Sequence, residues 1–164
     1  MEMRLIYPRA QQELDDFRST SAAVGRLSTL EAFPLHRAAW LGQFLLVQKH
    51  LRDGINVDST LPRSKITGLL YAVDTSQFAV VQLLLSRGAS VNKASAGQST
   101  ALHILAQKRE GKDLQVAIAK ALVDAGADRT AKRKEGLTPY WYLITFCANK
   151  ASEEHRLLFH PGDW

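Results

Sequence analysis

Cysteine is nearly absent from this 164-residue sequence: Cys147 is the single one, so no internal disulfide can form. A lack of disulfides is typical of a reducing compartment, and we expect a cytoplasmic protein, with the nucleus as the alternative. No apolar run approaches the roughly 18 residues of a membrane span. The N-terminal residues also lack the apolar core and the cleavage site of a secretory signal. Membrane proteins and secreted proteins are therefore the classes that the sequence disfavours.

Recognisable catalytic motifs are missing as well. The sequence contains neither the HExxH pattern of a zinc protease nor a GxSxG nucleophile elbow. Gly111-Lys112 is similar to the end of a phosphate loop, but Ala106 stands where that loop needs glycine. Cys147 ends the apolar stretch YWYLITFC, which is typical of a packed helix rather than of a nucleophile. We expect no catalytic residue, no cofactor and no metal site.

Charge is spread unevenly along the chain. The net charge is +5, and the excess lies in the middle, where residues 32–66 and residues 100–137 each carry +3. The two ends, 1–31 and 138–164, each carry −1. Because clustered charge attracts partners of the opposite sign, this distribution favours an acidic partner.

Three segments of the chain close in the same way. An apolar stretch with helical spacing ends near a glycine and a short polar piece follows, in HLRDGINVD (50–58), LLSRGASVN (84–92) and LVDAGADRT (122–130). The glycines, Gly54, Gly88 and Gly126, are 34 and 38 residues apart. A glycine just beyond a helix suits the left-handed backbone conformation that a side chain opposes. The spacing predicts an internal repeat of two helices and a loop.

A helix start precedes each of these segments. The starts are FPLHRAA (33–39), TGLLYAV (67–73) and TALHILA (100–106), and a fourth, TPYWYLI, lies at 138–144. The threonines that open three of them are suited to cap a helix, and Pro34 and Pro139 suit a first turn. One helix pair cannot bury both of its faces, so we expect neighbouring units to stack.

These units resemble the ankyrin repeat, whose signature is T-P-L-H-x-A-A, then a glycine, a V-x-x-L-L stretch and G-A-x-V-N. Residues 33–58 match almost throughout, and residues 67–92 match best in VVQLLLSRGASVN. Residues 100–128 keep the Thr, Leu, His and Gly of the signature. The departures are Phe33 in place of the capping Thr, five extra residues within 107–115, and Trp141 in place of His.

The resemblance implies an all-α fold, an ankyrin-repeat solenoid of stacked helix-turn-helix units with short hairpin loops. The expected divisions are an N-terminal helical cap (1–32), three repeats (33–66, 67–99 and 100–137) and a divergent fourth repeat or C-terminal cap (138–164). The third repeat is expected to carry its extra residues in the loop between its helices. The family's histidine position is held by His36 and His103, which implies bonds to neighbouring backbone and to the helix-start Thr rather than to metal.

The resemblance also implies a function, which is to bind another protein through the concave face of the stack and the projecting hairpin loops, its fingers. Trp40 stands at the end of the first helix, where such domains face the groove, and Trp is over-represented among interface hot spots. We therefore expect an exposed Trp40 to anchor a partner. The candidate partner-binding residues are Trp40, Leu41, Asp74, Thr75, Lys108 and Phe146 in the groove, with Arg63, Lys65, Arg133 and Lys134 on the fingers.

Other interpretations stay open on the sequence alone. Trp40 would alternatively pack beneath the N-terminal cap, and the basic finger residues would be solvated loop tips. A protein with an acidic surface is the expected partner; nucleic acid is disfavoured because no aromatic residues alternate with the basic ones. We expect neither a small-molecule substrate nor a membrane. The runner-up function is a regulatory or targeting domain that acts with a larger enzyme.

Overall fold

The computed structural model describes Leu30 and residues 32–108, 112–146 and 153–162. Within these ranges the chain forms eight α-helices in four consecutive pairs. They are α1 (Pro34–Trp40), α2 (Phe44–Arg52), α3 (Gly68–Asp74), α4 (Phe78–Ser86), α5 (Ala101–Ala106), α6 (Lys112–Asp124), α7 (Pro139–Phe146) and α8 (Glu153–Phe159). The same ranges contain no strand, only an isolated antiparallel bridge between Thr60 and Thr67. The predicted all-α fold is confirmed.

The four pairs stack in chain order. The first helices of the pairs (the inner helices α1, α3, α5 and α7) pack one on the next, and the second helices (the outer helices) form the adjoining layer. Small residues let the inner helices approach their neighbours closely: Ala39, Val73 and Ala106, at matching positions, are fully buried. This arrangement is the solenoid that the repeat predicts. No helix in the described ranges is long and apolar enough to cross a membrane.

Threonine caps begin the inner helices as the sequence predicts. Thr67 Oγ1 accepts a hydrogen bond of 3.2 Å from the backbone N–H of Leu70. Thr100 and His103 form a capping box at the start of α5, with Thr100 Oγ1 2.9 Å from His103 Nδ1. Phe33, in contrast, makes no side-chain cap at the start of α1. The first helix therefore lacks a contribution that is typically worth ~1 kcal/mol.

Each outer helix of the first three pairs is followed by a glycine in the left-handed region. The φ angles of Gly54, Gly88 and Gly126 are 88°, 81° and 84°. A Cβ built on any of the three would meet no atom within 4 Å. Glycine is therefore required by the backbone conformation and not by crowding from neighbouring atoms. The left-handed glycines confirm the predicted helix ends.

Three loops connect the pairs, and we call them finger 1 (59–66), finger 2 (90–99) and finger 3 (127–137). Two histidines fasten inner helices to fingers: His36 Nε2 lies 3.0 Å from Ser59 O and 3.1 Å from Ile66 O, and His103 Nε2 lies 3.0 Å from Leu137 O. Burial disfavours the charged ring and lowers the pKa of both histidines below the ordinary value. Their predicted structural role is confirmed.

The third pair differs from the expected loop insertion. Its outer helix α6 is thirteen residues long, whereas α2 and α4 have nine residues each. Most of the extra sequence thus lengthens the outer helix at its N-terminal end instead of enlarging the loop. The extension precedes the fully buried residues Ile118 and Leu122, which lie in the part of α6 that corresponds to α4.

Candidate functional site

The inner helices and the fingers enclose a groove in the middle of the stack, with a volume of about 440 Å³. Residues of α3, of α5 and of all three fingers line it, and we call it the central groove. Its lining consists of Ile66, Leu70, Tyr71, Asp74, Ser95, Ser99, Ile104, Gln107, Lys108 and Arg133. The mixture of an apolar floor with a few polar groups is typical of clefts that bind ligands.

Lys108 and Asp74 join two repeats across the central groove. Lys108 follows α5, and its Nζ lies 2.8 Å from Asp74 Oδ1. The same ammonium donates a hydrogen bond to the backbone carbonyl of Asp74, the last residue of α3. Because carbonyls at a helix C-terminus carry partial negative charge, a cation there is stabilised. The side chains stay 29% and 41% exposed, so the pair remains open to solvent.

Arg133 reaches the central groove from finger 3, where the sequence predicts an exposed finger residue. One Nη atom donates a 2.8 Å hydrogen bond to Tyr142 Oη, and the guanidinium carbon lies 5.3 Å from the centroid of that ring. Its Nε lies 3.6 Å from the carboxylate of Glu135. The cation is therefore held over an aromatic face and is only 22% exposed. Arg133 is a fixed part of the groove wall, not a solvated tip.

Trp40 does not lie exposed in a groove, and that expectation is wrong. The side chain is 5% exposed and packs with the buried residues Leu30 and Leu61. Its ring centroid is 6.4 Å from that of Tyr71. Leu30 precedes α1 and Leu61 belongs to finger 1, so the chain on both sides of the first helix pair covers the indole. The alternative, in which Trp40 supports packing at the N-terminal end, is the one that the structure bears out.

Two other predicted groove residues, Leu41 and Thr75, do not line the central groove. Leu41 is partly buried and packs against the Trp40 cluster. Thr75 ends α3, and its hydroxyl donates a 2.9 Å hydrogen bond to the carbonyl of Tyr71, so it supports the helix end instead. Phe146 is the last residue of α7, but its side chain lies outside the described part of the structure, and its contact with a partner stays a prediction.

The fingers carry an excess of positively charged side chains. Arg63, Lys65 and Lys134 are exposed there, as predicted. The three fingers together contain seven Lys or Arg and two Asp or Glu, a difference of +5 that equals the net charge of the whole chain. Finger 2 is linked to finger 1 through a 2.7 Å hydrogen bond from the N–H of Ala96 to the carbonyl of Ser64. The positive charge is thus concentrated beside the mouth of the central groove.

Most of the groove floor was not among the predicted residues. Tyr71 and Ile104 occupy the same place in their repeats, the x of T-P-L-H-x-A-A, between the histidine position and the two small residues. Counting that position along the repeat would have identified both, since every other position of the motif is buried or fixed. Ile66, Ser95 and Ser99 come from the fingers, where no periodic signal marks the inward-facing residues.

Apolar side chains are also exposed outside the central groove. Leu45 on α2 is 70% exposed, and Trp141 and Ile144 on α7 are each 40% exposed. A second cavity, of about 250 Å³, lies between α1 and α2. Among the described residues, no cluster of three or more His, Cys, Asp or Glu side chains is arranged to hold a metal ion. The central groove is therefore the place where shape, charge and apolar surface coincide.

Comparison with known proteins shows where related sequences occur. The chain is 38% identical over 106 residues to ankyrin repeat and SOCS box protein 11 of Danio rerio, an alignment that covers 65% of this chain and 34% of that protein. It is 39% identical over 101 residues to ankyrin repeat and KH domain-containing protein mask-1 of Caenorhabditis elegans, covering 61% and 4%. It is 26% identical over 161 residues to the human transient receptor potential cation channel subfamily A member 1, covering 98% and 14%. The chain thus spans about a third or less of each of these relatives.

The family model described as ankyrin repeats matches residues 35–133 in three copies. This range includes the first three helix pairs and reaches Arg133, the groove residue of finger 3. Ankyrin-repeat proteins are in general protein-binding and non-catalytic. With well over half of its length matched by that model, the chain belongs to the ankyrin-repeat family.

Proposed function

We propose that this chain binds a partner protein in the central groove and along its three fingers, and that it catalyses no reaction itself. The observation that carries the proposal is the convergence of Asp74, Lys108 and Arg133 on a groove with an apolar floor. The stack fixes these groups before a partner arrives, because hydrogen bonds hold Lys108 to α3 and Arg133 to Tyr142. Little ordering entropy is then lost on association.

The charge of the fingers supports a partner with an acidic surface. A net charge of +5 on three adjacent loops attracts negatively charged surfaces and raises the rate of encounter. Rim charges of this kind act on association more than on the final affinity. In keeping with the single cysteine, we place this interaction in the cytoplasm or the nucleus.

Photo-crosslinking tests the proposed surface. A photoreactive amino acid at Gln107, exposed in the central groove, is expected to trap a partner protein in lysate of the source cells. Gln82, on the outer helix α4, offers a control because it is also an exposed glutamine but lies away from the central groove. Trapping from Gln82 with none from Gln107 would contradict the proposal, since the partner would then contact the outer layer.

Charge reversal on the fingers tests the acidic partner. Replacing Lys65 and Lys134 together by Glu should slow association with the trapped partner and flatten its dependence on salt. Both side chains are exposed, so the fold should be retained. Lys120→Glu, at an exposed site on α6, is the control for a charge reversal outside the fingers. Equal association rates for the double variant and the parent, at both low and high salt, would indicate that Lys65 and Lys134 are solvated and do not contact the partner.

A second function is suggested by the relatives. Two are named for a further domain beside the ankyrin repeats, a SOCS box or a KH domain, and the third is named as a cation channel. In this version of the proposal the stack recruits or positions a partner for another domain, in a regulatory or targeting role. The partner trapped through Gln107 would then be a substrate or regulator of that domain. Steep salt dependence of binding to arbitrary duplex DNA would instead favour nucleic-acid binding.

A further inference from the structure

The Lys108–Asp74 pair has a feature that an ordinary surface ion pair lacks: both of its members line the central groove. Lys108 brings the cation to the groove, and Asp74 supplies a carboxylate 2.8 Å from it. Asp74 therefore stands where the carboxylate of an acidic partner would be placed. Asp74 would therefore compete with an acidic partner for the Lys108 ammonium.

The pair is weak enough to be exchanged. Both side chains remain partly exposed, and exposed ion pairs contribute little to stability. The Lys108 ammonium would keep its bond to the Asp74 backbone carbonyl after the carboxylate was displaced. Replacing one carboxylate by another thus leaves the cation in position and costs little.

The groove beside the pair accepts an apolar group. Its floor is formed by Ile66, Leu70, Tyr71 and Ile104, and its volume is about 440 Å³. Arg133 closes the side toward finger 3, fixed by its contact with Tyr142. The buried Nε of Arg133 makes no hydrogen bond to any other described residue. A ligand that fits must combine an acidic group with an adjacent apolar side chain, because cations border an apolar floor.

We propose that the central groove takes an extended acidic segment of the partner, with a Glu or Asp side chain paired to Lys108 and a neighbouring apolar side chain on the Ile66–Ile104 floor, in competition with Asp74. This inference rests on the proposed function and specifies the chemistry of the partner. A protruding segment is favoured over a flat surface because the lining residues recede between α3, α5 and the fingers. The charge of the fingers beside the groove is complementary to such a segment.

The proposal makes an unusual prediction, which is that removing an acidic residue of the groove strengthens binding. Asp74→Asn removes the carboxylate that competes for Lys108 and should tighten acidic-peptide binding by about twofold to fivefold, the equivalent of an exposed ion pair. Lys108→Gln should weaken it by about fivefold or more, and Lys108→Arg should restore most of the loss. The double variant Asp74→Asn/Lys108→Gln should still bind more weakly than the parent, because the cation that pairs with the acidic group is missing.

A display experiment supplies the probe. A phage library of random 12-residue peptides is selected in parallel on the chain and on its Lys108→Gln variant, after melting curves show that both are folded. Peptides with Glu or Asp next to an aromatic or branched aliphatic residue should be enriched on the parent alone. The synthetic form of the best peptide is then titrated against the four variants, with its Glu→Gln or Asp→Asn version as the control.

Each result decides the matter. Enrichment of acidic–apolar peptides together with tighter binding to Asp74→Asn supports the proposal. Peptides without an acidic residue, no enrichment at all, equal binding by the parent and Lys108→Gln, or weaker binding to Asp74→Asn would each overturn it. If it is overturned while Gln107 still traps a partner protein, the proposed function stands and the partner presents a folded surface. Failure of Gln107 to trap any partner would contradict both the proposed function and the acidic-segment proposal.

Discussion

The last residues of the first and second inner helices occupy the same position in the repeat, but one is buried and the other is partly exposed. Trp40, at the end of α1, is buried beneath Leu30 and Leu61. Asp74, at the end of α3, is paired with Lys108 in an open groove. The difference lies in what covers each position, because apolar side chains from adjacent segments cover the first, whereas the second is bordered by Lys108 at the end of α5 and stays partly exposed.

One repeat position is therefore buried at the N-terminal end of the stack and open to solvent in its middle. An aromatic residue at a groove position is no sign of a binding anchor when a neighbouring segment supplies apolar cover. A charged residue at the same position remains open, because burying it would cost free energy. In the proposed function, the partner is therefore expected at the second and third repeats, where the central groove lies.

Truncation of Trp40 is the change with the largest expected effect. Trp40→Ala should lower the free energy of unfolding by ~3–5 kcal/mol, since it leaves a cavity among Leu30, Leu61 and Tyr71. Urea denaturation measures this, with Leu45→Ala as the control, because a side chain that is 70% exposed should matter by less than ~0.5 kcal/mol. Normal stability of Trp40→Ala combined with lost partner binding would contradict this account and indicate that Trp40 contacts the partner.

Gly88→Val is expected to have the next largest effect. The φ of 81° is unfavourable for a branched side chain, and the variant should lose more than ~1 kcal/mol of unfolding free energy. A Cβ at this site would meet no atom within 4 Å, so crowding of the Cβ does not contribute to the loss. Gly97→Ala in finger 2 is the matched control, because its Cβ would make only ordinary contacts of 3.8 Å and 3.9 Å. Equal stability of the two variants would place the helix end elsewhere.

Acid should loosen the first and third repeats more than the second. Burial lowers the pKa of His36 and His103 from the ordinary value of 6.5, so the unfolded chain takes up protons first as the pH falls. Their contribution to stability is full above pH 6.5 and is lost as the pH falls from there through the folded-state pKa. The second repeat has Leu70 at the histidine position and therefore lacks this pH-dependent contribution to stability.

Unfolding free energies at pH 7.5 and at pH 5 measure the effect. His36→Leu and His103→Leu copy the second repeat at the other two sites, and each should reduce the difference between the two pH values. The variants are expected to lose stability at pH 7.5, because the bonds to finger backbone disappear. An undiminished pH difference in both variants would assign the acid sensitivity to other groups.

Sequence reasoning predicted what is local and periodic. The caps at Thr67 and Thr100 and the left-handed glycines follow from residue type and spacing within one repeat, the histidine bonds follow from the resemblance to the ankyrin repeat, and the structure confirms all of them. The lengthened α6 was not predicted, because the same apolar spacing is compatible with a longer helix or with a longer loop.

The candidate site was predicted less completely, because it depends on contacts between repeats. Asp74 and Lys108 were named as groove residues, but their pairing joins positions 34 residues apart. The burial of Trp40 depends on Leu30 and Leu61, which no periodicity connects to it. Arg133 was expected on an exposed finger, and its position over Tyr142 could not be read from the basic stretch alone.

Isoleucine methyl NMR tests most directly the claim that the central groove is the binding surface. Ile66 and Ile104 line the groove, whereas Ile118 is buried in the outer layer and Ile144 is exposed on α7. Titration with the trapped partner, or with the selected acidic peptide, should shift the methyl signals of Ile66 and Ile104 and leave those of Ile118 and Ile144 in place. Shifts confined to Ile144, with the two groove signals unchanged, would contradict the account and move the interface to the C-terminal end of the stack.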